Sequence, residues 1–267
     1  MVNPYLELTA EFNRGRLRAL VSSGQAVVLH RLAIMSKDGD WILRGDAEAL
    51  GHVLAALAGR GARYRFGAPL DLRWLAGGWS AHFDFLQNGL RLRTDFVTRP
   101  PRIPPQQLAR IWEAAEATET AVVGLEPLAA IKLTNREKDY AVVGELARLM
   151  TDPGAQFRWS RSARDLISLA ERYPEDWEAA RRERPLLAHV VDGREALEAA
   201  LDRERRDSIR ANEQRLARYH AAAQAWSEVW KEVQKRIAGL PLGEAHRVLV
   251  SRAEGVLPFE VASGGGQ

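Results

Sequence analysis

The chain has 267 residues, of which 46% are apolar and 27% charged, and carries a formal net charge of +3. Those values suit one or two ordinary globular domains and exclude a disordered or fibrous chain. There is no cysteine, so disulfides, thiolate metal sites and thiol nucleophiles are excluded, and any chemistry must run through oxygen and nitrogen groups. Met1 to Leu8 lacks a basic stretch followed by an apolar one. No apolar run approaches the roughly 18 residues of a spanning helix, so the expectation is a cytoplasmic protein with no membrane partner.

In chain order, Leu6 to Leu20 has apolar positions at helical intervals, and a second helix is expected from Gln25 to about Met35 after the turn-prone Ser22-Ser23-Gly24. Ser36-Lys37-Asp38-Gly39-Asp40 breaks that period, and Trp41-Ile42-Leu43 reads as a short buried strand ended by Gly45. Asp46 is placed as the N-cap of a helix from Ala47 to Leu57. From Arg63 to Thr98 the period changes to two, with Tyr64, Phe66, Leu70, Leu72 and Trp74 at alternate positions around a bend at Gly67 and Pro69. Trp79–Leu86 and Leu90–Thr98 flank Asn88-Gly89, a pair that tolerates positive φ and marks a two-residue hairpin.

The prolines between Pro100 and Pro105 stop strand pairing, and the rest reads as helix. Helices are expected over Gln106–Ala117, Leu125–Leu133, Glu137–Met150, Ser162–Arg172, Pro174–Arg182 and Arg194 to about Ile237, with a last one after Leu242. The predicted class is α+β, a mixed sheet with flanking helices followed by an all-helical C-terminal region. Asp152-Pro153-Gly154 is the expected boundary, giving domains 1–152 and 153–262 and a flexible tail 263–267. The arginines from Arg203 to Arg218 are compatible with nucleic-acid contact, but Asp202, Glu204, Asp207 and Glu213 interleave with them at helical spacings, as on a solvated face.

Chemistry concentrates at Asp38 and Asp40. Residues two apart on a strand point to the same side, so these carboxylates can present oxygen ligands to one hard cation such as Mg²⁺. A lone Asp-x-Asp is also what a turn with solvated acids looks like. Ser23-Gly24 opens a helix whose first N–H groups would suit a phosphate, or serves as a plain turn. Asp95 lies opposite the core-side Leu90, Leu92, Thr94 and Phe96. It either converges with Asp40, as two-metal phosphoryl transfer requires, or pairs with Arg91 or Arg93; Asp84 is the rival third acid. His30, His52, His82, His189, His220 and His246 have no zinc-ligand spacing. The tryptophans Trp74, Trp79, Trp159, Trp177, Trp226 and Trp230 read as packing residues.

Ser23 to His30 followed by Ser36 to Leu43 resembles the opening of the minimal nucleotidyltransferase superfamily, in the flavour of the AbiEii-type abortive-infection toxins. Leu92-Arg93-Thr94-Asp95-Phe96-Val97 matches the strand with the third acid, and Leu125 to Leu133 with Arg136-Glu137-Lys138-Asp139 matches a later pair of helices. Departures are Ser23 in place of a first glycine, Ile34 where an arginine is common, and Gly39 between the acids, expected to loosen the strand. The resemblance implies a nucleoside triphosphate bound by Ser23, Gly24, Ser36 and Lys132, with Mg²⁺ or Mn²⁺ on Asp38, Asp40 and Asp95. Asp139 would orient Lys132 or act as base. A nucleoside monophosphate would pass to an RNA end, a protein or a small molecule, and an antitoxin-like protein partner is implied. The alternatives are a catalytically degenerate nucleotide-binding module and a partner- or RNA-binding module using the helical half.

Overall fold

The computed structural model describes residues 3–261; the expected tail 263–267 lies outside the described residues. The expected α+β class is met by a five-stranded mixed sheet of order β1-β2-β5-β4-β3 with helices around it and a long helical stretch after it. Contact density divides the chain into two compact units. One holds the described residues up to Val123 and those from Ala217 onward, and the other is Gly124–Leu216. Asp152 lies inside the second unit, where its side chain accepts from Ala155 N–H and caps a helix.

In the first unit, α1 (Pro4–Phe12) is capped by Asn3 and followed by β1 (Ala19–Ser22). The expected single helix to Leu20 is therefore two elements. The four β1 residues are all buried, and a strand buried on both faces shows no alternation to separate it from helix. Then come α2 (Ser23–Leu29), β2 (Asp38–Leu43), α3 (Ala47–Gly59) and β3 (Arg63–Tyr64). Asp46 caps α3 as expected, accepting from Ala49 N–H at 2.8 Å. The alternation after Tyr64 does not extend the strand. Asp71 instead caps a single helical turn, α4 (Leu72–Leu75), which buries Trp74 and Leu75 together.

The hairpin of β4 (Ala81–Gln87) and β5 (Leu90–Val97) turns at Asn88 and Gly89, with φ of 52° and 78°. β2 pairs antiparallel with β1 and parallel with β5, so the sheet is mixed. β1's outer side takes one further bridge, Val21 to Val122, with Val21 N–H donating to Ala121 O at 2.8 Å and Val123 N–H to Val21 O at 3.0 Å. α5 (Pro105–Ala117) begins where the prolines end pairing.

One sheet face carries an aromatic core. Trp41 stacks on Phe96 with centroids 5.4 Å apart and meets Phe12 edge-on at 5.4 Å, while Phe83 meets Phe96 at 5.8 Å. Trp41 Nε1–H donates to Thr9 Oγ1 at 3.0 Å, so the buried indole leaves no polar atom unsatisfied. The C-terminal helices α12 (Gln224–Ile237) and α13 (Leu242–Glu254) belong to this unit. Trp226 Nε1–H donates to Gly67 O and Trp74 Nε1–H to Leu257 O, at 2.9 and 3.0 Å. Tyr64 Oη and His246 Nδ1 lie 2.7 Å apart.

The second unit contains α6 (Leu125–Lys132), α7 (Glu137–Leu149), α8 (Pro153–Trp159), α9 (Ala163–Arg172), α10 (Pro174–Glu183), a 3₁₀ segment Pro185–Val190, and most of α11 (Arg194–Ala222). The expected helix from Arg194 to Ile237 breaks at Ala223. Its core is aliphatic around Phe157, with Leu166, Leu169, Leu187 and Leu197. On α11 Arg205 and Arg206 pair with Asp202 and Arg210 with Asp207, as expected of a solvated face. Among the described residues no helix is long and apolar enough to cross a membrane.

Candidate functional site

Strand register builds the site. Asp40 is the partner of Ser22 on β1 and of Asp95 on β5, and Asp95 is the partner of His82 on β4. Residues directly opposite one another share a face, so Ser22, Asp40, Asp95 and His82 form a row across four strands. The neighbouring row holds Asp38, Arg93 and Asp84. The opposite face carries Val21, Trp41, Phe96 and Ala81, all buried in the core. One alternation thus anchors the sheet on one side and crowds acids on the other.

Gly39, expected to loosen the strand, sits in a regular ladder opposite Thr94. A Cβ there would lie 2.4 Å from Trp41 Cη2 and 2.5 Å from Tyr5 Cδ1. The indole of Trp41 and the ring of Tyr5 already occupy the volume a side chain would need, so glycine is imposed by packing and the aim of Asp38 and Asp40 is kept.

Ser23 begins α2 in the left-handed region, at φ 48°. A Cβ on Gly24 would lie 2.3 Å from Ser36 Oγ, so glycine here permits close approach of the loop that leads into β2. Ser36 Oγ–H donates to Asp38 O at 3.1 Å, and Gln25 Nε2–H donates to Ser36 O at 3.1 Å. Ser36 therefore touches the backbone of the first acid, and Gly24 packs against Ser36.

The acids differ in their partners. Asp95 Oδ1 is 2.7 Å from His82 Nδ1 and accepts from Arg65 Nη1–H at 3.3 Å, so it pairs with neither Arg91 nor Arg93. Arg91 pairs with Asp84, and Arg93 reaches Asp38 only at 3.9 Å. Asp38 Oδ1 is shut off from solvent without a hydrogen-bond donor. The negative field of this face is felt by Tyr5: burial, and then the charges of Asp38 and Asp40, hold its phenol above the usual range.

An enclosed carboxylate oxygen without a donor, beside a second carboxylate on the same face, is the donor chemistry of a hard divalent cation. Among the described residues no group of three or more His, Asp or Glu side chains is gathered closely enough to hold a metal ion by itself. Mg²⁺ takes one or two carboxylates and completes its shell with water and substrate phosphates, so Asp38 and Asp40 fit it as a pair.

Lys132 and Asp139 belong to the second unit. Lys132 Nζ lies 2.9 Å from Asp139, and their side chains are 8% and 4% exposed. Asp139 also accepts from Thr134 Oγ1–H and from Arg136 Nε–H at 2.8 Å. Burial would raise its carboxyl, but these hydrogen bonds and the two cations outweigh burial and hold it below the usual carboxylate range. Lys132 is thus already neutralised by a carboxylate.

In the sequence Ser22 reads only as part of a turn and His82 only as one of the scattered histidines, and Arg65 and Ser80 carry no signal. His82 was recoverable there, because a two-residue turn at Asn88-Gly89 fixes the hairpin register and counting back sets His82 opposite Asp95. Arg65 follows a two-residue strand and left no periodic signal.

No family model matches the chain, and the curated proteins give no significant match. Among solved structures the chain is similar to "Crystal structure of putative nucleotidyltransferase from H. pylori", with 12% sequence identity and a TM-score of 0.36, over 79% of this chain and 96% of that one.

Proposed function

We propose that the acid-bearing sheet face is the centre of a nucleotidyltransferase that moves a nucleoside monophosphate from a nucleoside triphosphate to a hydroxyl acceptor. The observation that carries this reading is the register of Asp40 with both Ser22 and Asp95, with Asp38 on the same face two residues earlier. That arrangement brings neighbouring carboxylates to one face, where Arg65 meets Asp95 and Arg93 approaches Asp38 only at 3.9 Å, and a divalent cation would relieve the remaining repulsion. Asp38 and Asp40 would hold Mg²⁺ or Mn²⁺, which supplies charge neutralisation at the phosphates when bound. The hydroxyls of Ser23 and Ser36 and the backbone at Gly24 would offer hydrogen-bonding groups to phosphate oxygens. The acceptor class, an RNA end, a protein or a small molecule, is a matter for substrate screening, and so is any toxin-like role.

The test is thermal and chemical. Nucleoside triphosphate with Mg²⁺ should raise the melting temperature of the full chain, and Asp38→Asn with Asp40→Asn should abolish both that rise and the release of pyrophosphate. A chain that shows neither effect at millimolar nucleotide overturns the reading.

A further inference from the structure

Within the first unit a second arrangement stands on the same sheet face. Ser80 Oγ lies 2.8 Å from His82 Nε2, and His82 Nδ1 lies 2.7 Å from Asp95 Oδ1. Asp95 can only accept at that oxygen, so His82 carries its proton on Nδ1, and Nε2 is left to accept from the Ser80 hydroxyl. A serine, a histidine and an aspartate in that order of contact form the arrangement by which a neutral hydroxyl is made nucleophilic.

The backbone around the three residues is fixed. Arg65 N–H donates to His82 O at 2.9 Å and Ala68 N–H to Ser80 O at 3.0 Å. A Cβ at Gly67 would lie 2.4 Å from His82 Cδ2, so the imidazole lies against bare backbone at a place where any larger residue would displace it. Side chains of His82 and Asp95 are each 24% exposed, leaving the relay reachable from solvent.

The surroundings choose the electrophile. An acyl substrate needs N–H donors for its oxyanion, but the three N–H groups leading to Ser80 are spent: Gly77 N–H donates to Trp74 O, Gly78 N–H to Leu75 O and Trp79 N–H to Trp74 O. The other group touching Asp95 Oδ1 is the guanidinium of Arg65, suited to the anionic oxygens of a phosphoryl group. Asp95 stands in register with Asp40, so the relay shares its face with the proposed nucleotide site.

We propose that Ser80 is the nucleophile of a Ser80–His82–Asp95 relay and becomes covalently nucleotidylated by the nucleoside triphosphate that the chain binds. This rests on the proposed function. Ser80 Oγ forms a bond to the α-phosphorus, its proton passes to His82 Nε2, and the bond from the α-phosphorus to the bridging oxygen breaks, releasing pyrophosphate. The imidazolium so formed is held by Asp95. Asp95 thus positions the base rather than joining Asp38 and Asp40 as a ligand.

The full chain is incubated with each of the four nucleoside triphosphates labelled at the α-phosphate, with Mg²⁺, then denatured, digested and read by mass spectrometry. The peptide containing Ser80 should gain one nucleoside monophosphate. Ser80→Ala should lose the label, and His82→Gln should slow labelling by about 100-fold or more, the scale of a lost general base. Asp95→Asn should slow labelling too, and the ¹⁵N shifts of the His82 ring should show the proton moved from Nδ1 to Nε2, a change that a merely structural role would not produce. Pyrophosphate release without label on Ser80 overturns this inference and leaves the proposed function standing. Absence of label, of pyrophosphate release and of any nucleotide-dependent rise in melting temperature overturns both.

Discussion

The two units are built on different cores. In Gly124–Leu216 ion pairs tie the helices together: Glu204 takes Arg184 and Arg161, Asp165 takes Arg148, Glu183 takes Arg158 and Asp139 takes Lys132. The core beneath is aliphatic and modest, so the ion pairs and their hydrogen bonds specify how the helices meet. In the first unit the core is aromatic and anchored by indole N–H donors. There the sheet places Asp38, Asp40 and Asp95 on one face, and Asp38 Oδ1 is enclosed without a hydrogen-bond donor. The first unit pairs most of its other acids as well, Glu48 with Arg18 and Glu11 with Arg60 among them, so it is the stacking of Asp40 with Asp95 in register that sets its sheet apart.

The largest effect that could break this contrast lies in the second unit. Asp139→Ala leaves Lys132 buried beside no counter-charge and should cost about 3–5 kcal/mol. Lys132→Met combined with Asp139→Leu should recover most of that loss, as read by urea unfolding. A single variant costing under about 1 kcal/mol would mean that the pair is a surface pair and that the contrast fails.

In the first unit the equivalent probe is steric. Gly39→Ala drives a methyl into Trp41 and Tyr5 and should cost about 1–3 kcal/mol. Gly39→Ala with Trp41→Leu should cost less than the two changes added separately, because the smaller side chain opens the space. Strict additivity in a double-mutant cycle would separate Gly39 from the core and restore the idea of a loosened strand.

The smallest effect depends on pH. Burial, reinforced by Arg73 and opposed by Asp71, holds the His246 imidazole below its ordinary value of 6.5. The unfolded chain therefore takes up a proton before the folded one does, and stability falls as pH drops through 6.5 toward the lowered folded value. The slope contributed by one such group is at most about 1.4 kcal/mol per pH unit. His246→Asn keeps an acceptor for the Tyr64 hydroxyl and should remove that slope from chemical unfolding measured on either side of pH 6.5.

Much of this was legible where a local chemical signal exists. Asp46 before an apolar helix, Asn88-Gly89 between alternating runs, and the prolines ahead of α5 each act on their immediate neighbours, and each element stands where the signal puts it. Ala19–Ser22 was hidden because burial on both faces erases the period of two. Leu72 and Trp74 misled for the opposite reason: their alternation is real, but the cap at Asp71 starts a helical turn. At the site, the shared face of Asp38 and Asp40 follows from spacing alone. The partners of Asp95 do not, since Arg65 arrives from just beyond a two-residue strand, and the reason for Gly39 lies in the rings of Trp41 and of a tyrosine on α1.

The bridge between Val21 and Val122 bears on pairing between chains. A sheet with open sides offers unpaired N–H and C=O groups to any other chain with a strand to spare, and this is how aggregates begin. Here the outer side of β1 is already taken up by Ala121 and Val123, and the opposite border, β3, is only two residues long. Both borders of the five-stranded sheet are therefore poor templates for pairing with another chain.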